Sequence, residues 1–231
     1  MSERRGPVLA VVGVTVLAFA ARLVALDARP FHWSEGRVGY WALRFAETGA
    51  YEYRPAAGGP LVYVAARWAI ELFGASDAVA RAPVAVVTGA APLAALLFRG
   101  PLDDRETVAF AGVLAAQPVL VYYSRFLRGD ALAAVLGVVV LGGAVRYRHR
   151  DDWWALYLAA GALAAAVAAS GFTLAYLLVA PVAALFVFDE ARVRGVPERA
   201  RRAVCGDDDP PPAHERLAAH ATPVARAVFV F

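Results

Sequence analysis

The chain has 231 residues, of which 60% are hydrophobic, and a formal net charge of +3 at pH 7. All 23 of its basic residues are arginine, a mark of base composition, and no basic run tracks a phosphate backbone outside the tail, which argues against nucleic acid as a partner. A single cysteine, Cys205, excludes internal disulfides and leaves no thiolate metal cluster.

With a mean hydropathy of +0.53 and long apolar runs parted by short charged clusters, the expected class is all-α, a polytopic transmembrane helical bundle. The first span is predicted at 7–26. Arg4 and Arg5 precede it and Ala18-Phe19-Ala20 imitates a cleavage site, yet the further spans make a retained signal anchor the simpler expectation.

The long loop that follows carries Phe31-His32-Trp33-Ser34-Glu35-Gly36-Arg37-Val38-Gly39-Tyr40-Trp41, a polar and aromatic edge with one carboxylate. Ser34 is the predicted N-cap of an interfacial helix over 34–48, with Glu35 in its first turn and Val38, Ala42 and Phe45 following at helical spacing. Glu35 then heads the apolar stripe and points toward the bundle, either as a functional carboxylate or as an acid that favours the helix dipole. Arg37 and Arg44 share a different face, where they could meet lipid phosphates or a phosphate-bearing substrate. The segment 60–73 contains Arg67 and Glu71 and is too short to cross a core roughly 30 Å thick, so it is predicted to lie in the interface.

Further spans are predicted at 78–98, 107–123, 130–145, 153–169 and 172–188. Gln117-Pro118 marks a kink within the third span, and Ser170-Gly171 cuts the last long run into a hairpin. Tyr122-Tyr123-Ser124-Arg125-Phe126-Leu127-Arg128-Gly129-Asp130 forms a second acid-plus-arginine edge. Here Asp130 reads equally as a helix N-cap and as a functional group, while Arg125 and Arg128 could snorkel to headgroups. Beyond the transmembrane part, 1–188, come a polar cytoplasmic linker, 189–216, and the start of a further apolar segment, 217–231, expected to be truncated. His32, His149, His214 and His220 have no metal-ligand spacing, so neither metal nor cofactor is expected.

Arginine placement orients the bundle. Arg4 and Arg5, then Arg146, Arg148 and Arg150, then the cluster from Arg192 to Arg202 all fall on one side if the spans alternate, so the positive-inside rule puts the N-terminus and tail in the cytoplasm. The long first loop and the second edge then lie outside a plasma membrane, on one face. Two polar edges beside hydrocarbon are kept there for a reason, because charge near hydrocarbon is costly.

The two edges, together with Tyr51-Glu52-Tyr53-Arg54-Pro55, Gly59-Pro60 and Phe73-Gly74-Ala75-Ser76-Asp77, resemble haloarchaeal membrane proteins linked to N-glycosylation and to flipping of dolichol-phosphate sugars. Those in turn are similar to GT-C glycosyltransferases such as protein mannosyltransferases and aminoarabinose transferases. The resemblance runs from Pro7 to about Arg194. It implies a lipid-phosphate sugar donor, Glu35 and Asp130 as the catalytic carboxylates, Glu35 as base or acceptor-positioning group, and Arg37, Arg54 and Arg125 as ligands of the polyprenyl phosphate, with Arg128 beside them as a further candidate ligand. The chain departs from the pattern at Ser34, where an acid is expected, at Gly58, where a histidine is expected, and at Ser170-Gly171-Phe172, where a Lys-Glu-Asn edge is usual.

Three functional classes follow. The first is a glycosyltransferase-like protein handling polyprenyl-phosphate sugars in surface glycosylation. The second is a non-catalytic or truncated paralogue that assists lipid-linked sugar flipping or assembly beside other membrane proteins of that pathway. The third, part of a small-molecule transporter, calls for mid-membrane polar residues and an internal repeat, and the sequence contains neither.

Overall fold

A computed structural model describes residues 6–52, 59–180 and 182–183. The described residues are mostly helical, with no strand among them. Nearly all belong to one compact unit, Met1–Leu177.

Helix α1, Gly6–Leu23, is mostly apolar and carries Arg22 in its last turn. Helices α2, Trp33–Thr48, and α3, Pro60–Phe73, pack on each other around Val38, Ala42, Val62, Tyr63 and Ala66, with Ala80 and Leu127 completing the cluster. Helix α4, Asp77–Gly89, is capped by the Ser76 hydroxyl and runs into a 3-10 segment, Ala91–Phe98. Gly89 lets the Phe19 ring of α1 sit where a Cβ would be, 2.6 Å from its nearest atom. Helix α5, Asp104–Ala116, starts from an Asp103–Glu106 capping box. A six-residue helix α6, Pro118–Tyr123, then leads to α7, Gly129–Arg150, and α8, Trp153–Ala169.

Among the described residues, three helical stretches are long and apolar enough to cross a membrane: Gly6–Leu23, Asp77–Phe98 and Gly129–Arg150. Helix α8, at 17 residues, is a shorter apolar one. It packs on α7 through small residues, burying Ala155, Ala159, Ala162, Ala166 and Ala169 at alternating spacings of four and three. Gly143 brings the α7 backbone so near that an added Cβ would stand 2.5 Å from the Ala155 carbonyl oxygen. Close backbone approach through small residues is how helices associate where burial of apolar surface alone gives no drive.

Several boundaries differ from the sequence expectation. The N-cap of α2 is His32, not Ser34: the His32 imidazole accepts from the Ser34 amide, and the Glu35 carboxylate reaches back to the His32 amide. Asp130 is not an N-cap either, because Arg128 holds that position and Asp130 lies in the first turn of α7. Helix α7 also runs on to Arg150, so Arg146, Arg148 and Arg150 belong to its last turns rather than to a loop. The expected span 107–123 is divided at Gln117 into α5 and α6.

That division has a local cause. Pro118 has no N–H, so the Leu114 carbonyl, four residues earlier, loses its helical donor. The Arg22 guanidinium reaches across from α1 and replaces it, with Nη2 donating to the Leu114 oxygen at 3.2 Å and Nη1 to the Ala115 oxygen at 3.2 Å. A buried arginine in an apolar helix thus caps a proline break in its neighbour.

Candidate functional site

The site is assembled where the α1–α2 loop, the start of α2, the first turns of α4 and the α6–α7 loop meet. Glu35 is at N3 of α2, on the same buried stripe as Val38, Gly39 and Ala42. Arg81 comes from α4, one turn after its Ser76 cap, and both side chains are fully buried.

The two groups engage side-on. Arg81 Nε donates to Glu35 Oε1 at 2.9 Å and Nη2 to Oε2 at 3.1 Å. The remaining guanidinium donors go to backbone oxygens of the α1–α2 loop: Nη1 to Leu26 and to Arg29, each at 2.9 Å, and Nη2 to Pro30 at 3.3 Å. The carboxylate is equally occupied. Oε1 also accepts from the Leu127 amide at 3.0 Å and Oε2 from the His32 amide at 3.1 Å. Burial by itself would push the Glu35 carboxyl up, but the Arg81 guanidinium and the two backbone amides outweigh it and hold the group below its ordinary value.

Arg29 closes this cluster from the surface. Its guanidinium stands 3.4 Å from Glu35 Oε2, donates to the Arg125 carbonyl at 3.0 Å and lies 3.7 Å over the Phe126 ring. Arg125 turns the other way and donates to the Ala21 and Ala25 oxygens at 3.3 and 2.7 Å, so it caps the C-terminal end of α1, where a cation is favourable.

A second cluster follows directly along the chain. Arg128 Nη2 pairs with Asp130 Oδ2 at 2.8 Å, and the Ser170 hydroxyl donates to Asp130 Oδ1 at 3.1 Å. This contact draws in the hairpin after α8. Backbone geometry fixes it there: the Gly59 amide donates to the Ala169 oxygen at 2.9 Å, and a Cβ on Gly129 would stand 1.8 Å from that same oxygen.

Of the expected site residues, Glu35, Arg125, Arg128 and Asp130 therefore collect along one edge of the unit, around the α6–α7 loop. Arg37 does not join them. It is exposed on the outer face of α2, with its guanidinium 5.8 Å from the centre of the Trp33 ring, and Arg44 lies further along that face beside Trp41. Arg54 and Gly58 lie outside the described residues, as do the tail arginines, the linker 189–216, the segment 217–231 and Cys205. Among the described residues, no three His, Cys, Asp or Glu side chains group as a metal site would require.

Arg81, Arg29 and Arg22 are the residues that pattern reading missed. The signal for Arg81 and Arg22 was present, since an arginine inside an apolar span needs a partner. What the sequence does not identify is which partner.

No family model, no curated protein and no solved structure matches the chain.

Proposed function

We propose that this chain is a multi-pass membrane protein that handles a polyprenyl-phosphate-linked sugar at one end of its helical bundle, as a GT-C-type glycosyltransferase would. The observation that carries the reading is the joining of three polar edges far apart in sequence: Glu35 accepts the Leu127 amide, and Asp130 accepts the Ser170 hydroxyl. Such a substrate needs cations where its phosphate leaves the hydrocarbon, a carboxylate near them, and an apolar bed for its chain. An apolar groove of about 470 Å³ between α1, α3 and α4, lined by Leu23, Leu26, Phe73, Val79 and Val86, suits the last requirement.

Asp130 is the carboxylate better suited to proton transfer, being half-exposed where Glu35 is fully buried. In this reading an acceptor hydroxyl gives its proton to Asp130 as its oxygen bonds to the anomeric carbon. The bond from that carbon to the phosphate oxygen breaks, and polyprenyl phosphate leaves with the electron pair, its charge met by Arg128. Glu35 serves as a positioning residue: with Arg81 it fixes the loop that carries Arg125 to Asp130. The end bearing Arg146, Arg148 and Arg150 is then cytoplasmic by the positive-inside rule, and the site is external to the plasma membrane.

A second reading, that the chain assists lipid-linked sugar flipping or assembly without catalysing transfer, draws support from the complete engagement of Glu35. The test is transfer from a polyprenyl-phosphate hexose in proteoliposomes. Asp130→Asn is expected to lower the rate by about 10²- to 10⁴-fold, the usual effect of losing a positioned base. Full activity in Asp130→Asn removes the catalytic assignment. No transfer by the purified wild-type chain, with altered surface glycosylation on its deletion in cells, replaces the enzyme by the assisting role.

A further inference from the structure

Charge along the edge around the α6–α7 loop does not balance in place. Arg81 and Glu35 neutralise each other, and so do Arg128 and Asp130, which leaves the charges of Arg29 and Arg125. Arg29 approaches Glu35 Oε2 at 3.4 Å, but that carboxylate already has its counter-ion in Arg81. Among the described residues Arg125 forms no ion pair, and Asp27, exposed on the α1–α2 loop, pairs with neither arginine.

Backbone groups fix both cations instead. Ala25 takes a left-handed φ of 52° just after α1, and the turn it makes leaves its carbonyl and that of Ala21 to the Arg125 guanidinium and returns Arg29 to the Arg125 carbonyl. The Arg29 guanidinium is shielded on one side by the Phe126 ring, 3.7 Å away, and that ring packs against Tyr122 and Tyr123. Each guanidinium keeps further N–H donors without a partner among the described residues, and the Arg29 side chain is 38% exposed. Away from Arg125 an apolar ridge runs along α1: Leu17, Ala21 and, just past the helix, Val24 follow at helical spacing and all are exposed.

We infer that Arg29 and Arg125 hold the phosphate of an anionic bilayer phospholipid, with its acyl chains along the ridge of Leu17, Ala21 and Val24. Guanidinium forks match phosphate oxygens in pairs, an arginine beside an anionic bilayer surface is attracted to it, and the exposed rings of Tyr122 and Tyr123 are of the kind that sits at headgroup level. A soluble phosphate would leave the ridge unused. Nor is this the phosphate of the proposed transfer: Asp130 faces the end of α8 through Ser170, whereas Arg125 faces α1. The lipid ties the end of α1 to the α6–α7 loop and is not consumed. The inference needs these helices to lie in a bilayer, and it does not need sugar transfer.

The test uses the full chain in nanodiscs containing phosphatidylglycerol or phosphatidylcholine with a photoreactive group near the headgroup, and maps the labelled peptides. The phosphatidylglycerol probe should label wild type within 17–29 and 119–126, and Arg29→Gln should lower that labelling by about 5-fold, the effect of losing one arginine at an anionic surface. Arg125→Gln should do the same, while Arg105→Gln, exposed in the first turn of α5, matches wild type. Because Arg125 also caps α1, a comparison that needs no variant stands beside these: phosphatidylcholine, whose headgroup carries its own cation, should label the same segments of wild type less. Equal labelling by the two lipids, or unchanged labelling in Arg29→Gln, overturns the site. Loss of the phosphatidylglycerol label on adding an equimolar amount of polyprenyl phosphate overturns it too, and returns the two arginines to the sugar carrier.

Discussion

Arg81 and Glu35 hold each other through two parallel hydrogen bonds of 2.9 and 3.1 Å, with neither side chain exposed. Because α2, α4, the α1–α2 loop and the α6–α7 loop all donate or accept in this one unit, its loss should loosen the whole edge. Removing one partner leaves the other charged and buried, which typically costs about 3 to 5 kcal/mol, whereas removing both together costs less than either alone. Glu35→Gln and Arg81→Met should each lower the unfolding midpoint in detergent markedly, and the double variant should recover part of the loss. Strictly additive losses would show that the two residues act separately.

The depressed Glu35 carboxyl gives the same unit a pH dependence. Its folded value lies below its unfolded one, so its stabilisation is complete above the ordinary glutamate value of about 4.3 and is lost as pH falls through the folded value. At pH 7 nothing is lost. Thermal midpoints measured from pH 6 down to pH 3 should therefore fall less steeply in Glu35→Gln than in wild type. Identical acid slopes in the two proteins would mean that Glu35 is not held as an anion.

Helices α2, α3 and α8 were readable from the sequence to within a residue or so, because apolar runs and Pro60 are local signals. The inward direction of Glu35 was legible too, from Val38 and Ala42 at its helical spacing. The cap of α2 was not, since a histidine imidazole can substitute for the serine that pattern rules favour. The site was half legible. Glu35 and Asp130 are conspicuous acids beside apolar runs, but their partners Arg81 and Ser170 lie 46 and 40 residues away, and no periodicity encodes a pairing across that distance. Arg125 was singled out by residue type, while the α1 carbonyls it reaches are visible only in the fold.

Backbone contact at Gly129 yields a test confined to α7. A Cβ there would stand 1.8 Å from the Ala169 oxygen, whereas one on Gly137 would meet nothing within 4 Å. Gly129→Ala should force α7 and the end of α8 apart and separate Asp130 from Ser170, lowering the thermal midpoint. Gly137→Ala should be neutral or raise it, as alanine is the better helix former by about 0.8 to 1 kcal/mol. The idea falls if the two variants melt alike.

The orientation is open to direct labelling. In a Cys205→Ser background, cysteines at Glu47 and at Arg148, both exposed, should react oppositely with an impermeant thiol reagent on intact cells: Glu47→Cys at once, Arg148→Cys only after lysis. Reaction of both from the same side would contradict a membrane lying between these two ends of the unit.

Arg22 and Pro118 should be coupled although their side chains serve different helices. In wild type the guanidinium fills the place of the amide that proline lacks, so Arg22→Met leaves the Leu114 and Ala115 carbonyls without it. Leaving a buried acceptor unpaired costs about 1 to 3 kcal/mol. Pro118→Ala returns an N–H within reach of Leu114, and in that background Arg22→Met should cost distinctly less. The quantity to measure is the interaction energy of the double-mutant cycle, from unfolding in detergent, and it should exceed the few tenths of a kcal/mol by which independent sites deviate from additivity. An interaction energy within that margin would mean that Arg22 is held in α1 for some purpose other than capping the break in its neighbour.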